Sequence, residues 1–168
     1  FVACDASVPE QVERLFADAV AFLGGLDVLY HVAGISGRRL GDGPLHECTE
    51  EGWDATLTAN LTSTFLTNRA AVRCFLKQGS PGVILNMASV LGFSPAPRHF
   101  DTYAYTATKG GIVAMSRLAA ARYAADGIRV NVLAPGLIDT PMASRAVNDP
   151  AIRHYLRTKQ PLTAGPGR

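Results

Sequence analysis

Between Val12 and Leu23 the apolar residues Val12, Leu15, Phe16, Ala19, Val20 and Leu23 recur at intervals of three and four. That rhythm predicts a helix with one buried stripe. Ser7 and Glu10, three apart just before the stripe, have the spacing of a capping box, and Gly24-Gly25 stops it. From Leu26 to Ala33 the rhythm changes, because the run is apolar almost throughout, as expected of a parallel-sheet strand covered on both faces. Phe1 to Cys4 reads as the end of an earlier strand.

The two patterns go on alternating. Thr49 before Glu50 and Glu51 predicts a capped helix with carboxylates in its first turn, and the helical region continues to about Gln78. Ser80-Pro81-Gly82 turns the chain into a third strand, Val83 to Met87, which ends near Ser89. A loop with Pro95 and Pro97 leads to a helix from Tyr103 to about Asp126, with Gly127 at its C-cap position. Ile128 to Leu133 is a fourth strand, followed by Ala134-Pro135-Gly136. Repeated strand and helix predict a single α/β domain over 1–168 with a doubly wound parallel sheet. Ligands of such sheets lie beyond the carboxyl ends of the strands, where Asp5, Gly34, Ser89 and Pro135-Gly136 fall on four different strands.

Composition narrows the functional classes. Hydrophobic residues are 48% and charged residues 18% of the chain, a globular profile. Lys and Arg number 16 against 14 Asp and Glu, and this balance of +2 points to no nucleic-acid or anionic-membrane partner. No apolar run approaches about 18 residues, so no membrane span is predicted. Cys4, Cys48 and Cys74 are scattered without a metal-ligand spacing, which suits a reduced cytoplasmic protein with no metal site. The chain opens Phe1-Val-Ala-Cys-Asp5 without a Met and closes in loop-like Gly165-Pro-Gly-Arg168, so it reads as an excerpt.

Candidate chemistry gathers in Asp101-Thr-Tyr-Ala-Tyr105-Thr-Ala-Thr-Lys109. Tyr105 and Lys109, four apart on a helix, share a face. A neighbouring ammonium favours the phenolate and draws a phenol pKa of about 10 toward neutrality, which suits proton exchange with a carbonyl or alcohol. Tyr155 and Lys159 repeat the spacing, so context has to choose between the pairs. Ser89 ends a strand, yet Met87-Ala-Ser89-Val-Leu91 lacks the glycines of a hydrolase nucleophile elbow, and His31, His46, His99 and His154 have no triad or metal context.

Taken in this order, the residues resemble the short-chain dehydrogenase/reductase family from Asp5 to the end of the chain. The resemblance implies hydride transfer between NAD or NADP and a small carbonyl or secondary alcohol, with Tyr105 as general acid/base. Ser89 would bind the reacting oxygen. Lys109 would tune the tyrosine and hold a ribose hydroxyl, and Asn60, in Thr58-Ala-Asn60-Leu-Thr62, would hold a water leading to the lysine. Asp5 matches the aspartate that accepts from the adenine amino group. His31-Val32-Ala33-Gly34 stands where the family has Asn-Asn-Ala-Gly, so Ala33 and Gly34 would let backbone approach the cofactor while both asparagines are replaced and His31 reads as structural. Pro135-Gly136-Leu137-Ile138-Asp139-Thr140 matches the segment at the nicotinamide carboxamide, with Thr140 as the side-chain contact. Tyr155 and Lys159 lack such upstream partners and are assigned to a solvated segment. The helices over 49–78 and 103–126 imply a homo-oligomer, dimer or tetramer. The alternatives are a non-catalytic nicotinamide-sensing or scaffold protein of the same fold, or an inactive fragment.

Several features depart from the family. Its Gly-x-x-x-Gly-x-Gly turn belongs well before Asp5. Gly37-Arg-Arg-Leu-Gly41-Asp-Gly43 has that spacing, but it follows the wrong strand and leads into Pro44 instead of a helix, so it is no phosphate site. The expected fold is thus a Rossmann-like sheet lacking its first two strands and its last. In the order 3-2-1-4-5-6 the absent strands separate Cys4 from Val28, so the isolated chain is expected to expose a sheet edge and bind cofactor poorly. The loop between Ser89 and Tyr105 is longer than the family's by about three residues. Its Arg98, His99 and Phe100 either border the substrate pocket or form a surface insertion. Thr140 to Gln160 would cover the site, where Arg145, Arg153, Arg157 and Lys159 either attract anionic substrates or, the favoured reading, line a solvated helix face.

Overall fold

The computed structural model describes residues 1–167. Three parallel strands, β1 (Val28–His31), β2 (Gly82–Met87) and β3 (Ile128–Leu133), form a sheet in that order. Six α-helices accompany them: α1 (Pro9–Leu23), α2 (Glu50–Leu57), α3 (Ser63–Gln78), α4 (Tyr103–Arg122), α5 (Ser144–Asn148) and α6 (Pro150–Lys159). Register places Leu29 beside Ile84 and Ile84 beside Val130, so these side chains share one face. Val12 and Phe16 of α1 and Ala71 and Phe75 of α3 close over that face. The parallel α/β class is the expected one, and the sheet is small.

Four expectations need correction. Phe1 to Cys4 joins no strand, because none of the described strands lies alongside to complete a ladder. The strands are covered on one face, and Val28, Tyr30 and Val32 remain more than half exposed, at 56%, 52% and 51%. Their apolar runs signal two-sided burial, yet the core cluster takes its sheet residues from the Leu29, Ile84 and Val130 side alone. The Ser7 to Glu10 capping box does not form. Ser7 spends its amide and hydroxyl on Asp5 Oδ1, at 2.9 and 2.7 Å, while Val8 precedes a helix that opens on Pro9, a residue with no N–H to cap. The fourth concerns the helices. Thr49 Oγ1 does accept the Gly52 amide hydrogen, at 3.0 Å, but the predicted helix over 49–78 is interrupted by a π turn, Thr58–Thr62. α4 ends at Arg122, and a tighter turn, Ala124–Asp126, leads to Gly127 at φ 72°. No helix among the described residues is long and apolar enough to cross a membrane.

Candidate active site

Just beyond β2 the chain turns at Ser89, whose Oγ accepts the Leu91 amide hydrogen at 3.2 Å. The turn Val90–Gly92 lies directly on α4. A Cβ at Gly92 would come within 2.8 Å of the Lys109 carbonyl carbon and the Gly110 nitrogen, so a side chain there would push the Ser89 turn off the helix. This contact brings Ser89 to Tyr105 and Lys109, which stand one helical turn apart.

Lys109 is 4% exposed, and its Nζ donates to the Met87 carbonyl at 2.8 Å. Burial lowers its pKa to about 8. Tyr105 behaves differently from the sequence expectation. Burial raises its pKa, with the Ser89 hydroxyl opposing the rise. The lysine does not lower it, because Nζ lies 5.4 Å from the centre of the tyrosine ring and is directed to the Met87 carbonyl. Desolvation then dominates, and Tyr105 holds its proton.

Asn60 is fully buried inside the π turn. Its Oδ1 accepts from the Ile35 amide at 2.7 Å, and its Nδ2 donates to the Ile35 carbonyl at 3.0 Å and to Thr108 Oγ1 at 3.3 Å. Asn60 thereby joins the loop after β1 to the residue next to Lys109. A π turn spoils the regular carbonyl ladder, and the hydroxyls of Ser63 and Thr64 take up the Ala59 and Asn60 carbonyls, each at 2.6 Å. The Thr/Ser cluster at 62, 63, 64 and 67 was the available signal for this irregularity. Thr108 and the Met87 carbonyl were not anticipated; only Thr108, beside Lys109, is visible as a side chain.

Gly34 borders the same group. A Cβ there would lie 2.8 Å from Asn60 Oδ1 and 3.8 Å from Lys109 Nζ. On its other side Gly34 lines an open cleft of about 760 Å³ together with Asp5, Ala33, Ala59 and Ser63. Asp5 is exposed, and hydrogen bonds from Ser7 lower its pKa. Pro135 approaches the site through its carbonyl, which accepts the Val90 amide hydrogen at 3.1 Å. Gly136 packs against Gln160, and Ile138 bridges to Gly167. Thr140 is exposed and makes no side-chain hydrogen bond among the described residues. Ser89, Tyr105, Lys109, Asn60 and Gly34 are therefore gathered at one point, whereas Asp5 lies along the cleft and Thr140 stands apart.

His31 is buried, with Nδ1 3.0 Å from Thr67 Oγ1 and Nε2 3.4 Å from Ser63 Oγ. Burial, and then the positive charge of Lys109, lower its pKa to about 4. The segment from Thr140 to Gln160 also differs from expectation. Lys159 Nζ donates to Ser94 Oγ at 2.6 Å, Tyr155 stacks on His99 with ring centres 4.7 Å apart, and Arg145 donates to the His99 carbonyl at 3.0 Å. The long loop before Tyr105 is clamped by this segment, with Phe100 packed against Ala146, Ile152 and Leu156.

A family model described as Enoyl-(Acyl carrier protein) reductase matches residues 1–165. Among solved structures, a short chain dehydrogenase from Mycobacterium smegmatis superposes with a TM-score of 0.72 at 36% identity, over 80% of this chain and 53% of that one. The chain belongs to the short-chain dehydrogenase/reductase family. The 2,5-dichloro-2,5-cyclohexadiene-1,4-diol dehydrogenase of Sphingobium indicum is 37% identical over 160 residues, which are 95% of this chain and 62% of that reductase-family relative. The structure of ElxO with NADP bound matches with a TM-score of 0.80 at 29% identity, over 91% of this chain and 61% of that one. This family member thus spans less than two thirds of the length of these relatives.

Proposed function

We propose that the protein carrying this chain is an NAD(P)-dependent oxidoreductase that interconverts a secondary alcohol on a small ring and the corresponding ketone. The carrying observation is the meeting of Ser89, Tyr105 and a buried, carbonyl-anchored Lys109 at the carboxyl end of β2. The name of the Sphingobium relative supports the ring alcohol, and the NADP-bound neighbour supports the cofactor.

The residues present fit a dinucleotide. Gly34 leaves open the space that a side chain would fill between the cleft and Lys109, and Asp5 offers Oδ2, which accepts no hydrogen bond among the described residues. An ammonium has three hydrogens, so Lys109 retains two beyond its bond to Met87 for a ribose hydroxyl. Ala33, Pro135, Gly136, Ile138 and Thr140 complete the proposed cofactor set. When bound, the nicotinamide supplies or accepts the hydride.

The protein's own part is proton transfer and orientation. Ser89 Oγ accepts from Leu91, and its single O–H, which meets the Tyr105 hydroxyl, turns to donate to a substrate carbonyl oxygen when substrate is present. Tyr105, held protonated by burial, delivers the proton to the same oxygen. Asn60 holds the surroundings of Lys109 through Ile35 and Thr108. The free cysteines fit a cytoplasmic location, and the partly exposed Trp53, Phe65 and Leu118 on α2, α3 and α4 support a homo-oligomer.

The test is to assay the full-length protein with NADH and NADPH against small alicyclic ketones, and NAD and NADP against the alcohols. Tyr105→Phe should lower kcat by about 10² to 10⁴ while leaving cofactor binding in place. Turnover surviving within about tenfold would remove Tyr105 from the acid/base role. Cofactor binding without turnover in the parent protein would favour a nicotinamide-sensing role instead.

A further inference from the structure

The loop after β1 meets the start of the catalytic helix from 62 residues away in sequence. Thr102 precedes α4 but makes no side-chain cap, and Asp42 takes that place. Its Oδ1 accepts the Ala104 amide hydrogen at 3.0 Å, and its Oδ2 accepts that of Tyr105 at 2.9 Å. The next carbonyl, Gly43, accepts the Tyr103 amide hydrogen at 3.3 Å. All three opening amides of α4 are thus taken by two adjacent loop residues, in a position where a carboxylate also suits the helix dipole.

The loop is shaped for this task. Gly41 sits at φ 104°, a conformation other residues rarely adopt, and its carbonyl accepts the Thr49 amide hydrogen at 3.1 Å. The Asp42 amide in turn donates to the Gly37 carbonyl at 3.2 Å, and the side chain that results is only 4% exposed. Gly37 to Gly43 therefore acts in the opposite sense to the phosphate loop whose spacing it shares. It presents an anion to helix amides instead of presenting helix amides to an anion.

Each other member of the site has its own anchor: Lys109 on the Met87 carbonyl, Asn60 on Ile35, and Ser89 on Leu91. Tyr105 meets the Ser89 hydroxyl but otherwise depends on the helix that carries it. We propose that Asp42 is a positioning residue for the reaction, fixing the first turn of α4 and with it the Tyr105 hydroxyl against Ser89. The proposal rests on the oxidoreductase reading above. A slip of the first turn would move Tyr105 while leaving Lys109, one turn on and separately tethered, in place.

The test uses full-length protein with Asp42→Ala, the isosteric Asp42→Asn, and Phe75→Leu as a destabilised control whose side chain lies in the core away from the site. Asp42→Ala should lower kcat by about 10²-fold, as expected of a misplacement near 1 Å, with the KM for cofactor unchanged within about threefold. Asp42→Asn, which keeps one acceptor oxygen, should fall between, and it carries the test if the alanine variant does not fold. Amide hydrogen exchange at Ala104 and Tyr105 should rise in both, whereas Phe75→Leu should lower Tm and leave kcat unchanged. A folded Asp42 variant with kcat within about threefold of wild type would overturn the proposal alone, as would an equal loss of kcat in Phe75→Leu. A wild-type protein without turnover would overturn the oxidoreductase reading and this proposal with it.

Discussion

The wall behind Tyr105 and the segment proposed to cover the site, α5 and α6, are held by opposite means. Behind the site, Asn60, Asn68, Asn86, Thr108 and Ser116 are all at most 7% exposed, and their side chains hydrogen-bond to protein partners. In the proposed cover, α5 and α6 bury three side chains, Ala146, Ile152 and Leu156, and otherwise rely on partly exposed contacts such as Lys159 to Ser94. Buried polar groups tolerate few alternative arrangements because each lost partner is costly, so the wall has one geometry. The cover, with few buried contacts, is the part that can open at small expense.

The largest expected effect breaks the wall. Asn86 and Asn68 exchange amide hydrogen bonds at 2.8 and 2.9 Å, and Asn86 also donates to Ser116 Oγ at 3.0 Å. Asn86→Leu strands both partners in the interior and should cost on the order of 3 to 5 kcal/mol in a denaturant melt. Adding Asn68→Leu should recover part of that loss, because removing both partners leaves fewer orphaned groups. A single variant costing less than about 1 kcal/mol would show that the layer relaxes easily, and the contrast with the cover would fail.

A pH experiment sharpens the same point at His31, which lies opposite Asn86 in the sheet register. The unfolded imidazole binds a proton below 6.5, whereas the buried one stays neutral down to about 4. Between those values the unfolded state holds more protons, so stability falls as pH falls through the window, by roughly 3 kcal/mol in total. His31→Gln should flatten the stability profile between pH 4 and 6.5, with equilibrium unfolding as the measurement. An unchanged slope would mean that the imidazole accepts its charge in place.

The wall and the cover also differed in how far they could be read from sequence. The chemistry of Tyr105, Lys109, Ser89 and Asn60 was visible because residue type and order travel together along a strand, turn and helix. The anchors were not, since a backbone carbonyl such as that of Met87 leaves no mark in residue type, and Asp42 acts across 62 residues. The tyrosine shift was misjudged for a related reason. Helical spacing gives the nearness of an ammonium, but the depth of burial that opposes it comes from the folded surroundings of α4 and leaves no mark in the spacing. Likewise, the apolar runs of β1 and β2 register a capacity for burial on two faces, and one is covered here.

The smallest effect belongs to the cover. The sequence assigns the second Tyr and Lys pair to a solvated segment, yet Lys159 donates to Ser94 and Tyr155 stacks on His99. Lys159→Ala removes a charge-assisted bond at a partly exposed position, where solvent screens the interaction, so stability should change by no more than about 1 kcal/mol. The kinetic consequence should be distinct: a cover released from the 94–101 loop encloses substrate less often, raising substrate KM by roughly threefold to tenfold with kcat nearly unchanged. Arg157→Ala, on an exposed position of the same helix with no ion pair among the described residues, should change neither. A fall in kcat for Lys159→Ala comparable to that of Tyr105→Phe would place the segment within the rigid wall, and the division between fixed and opening parts would have to be redrawn.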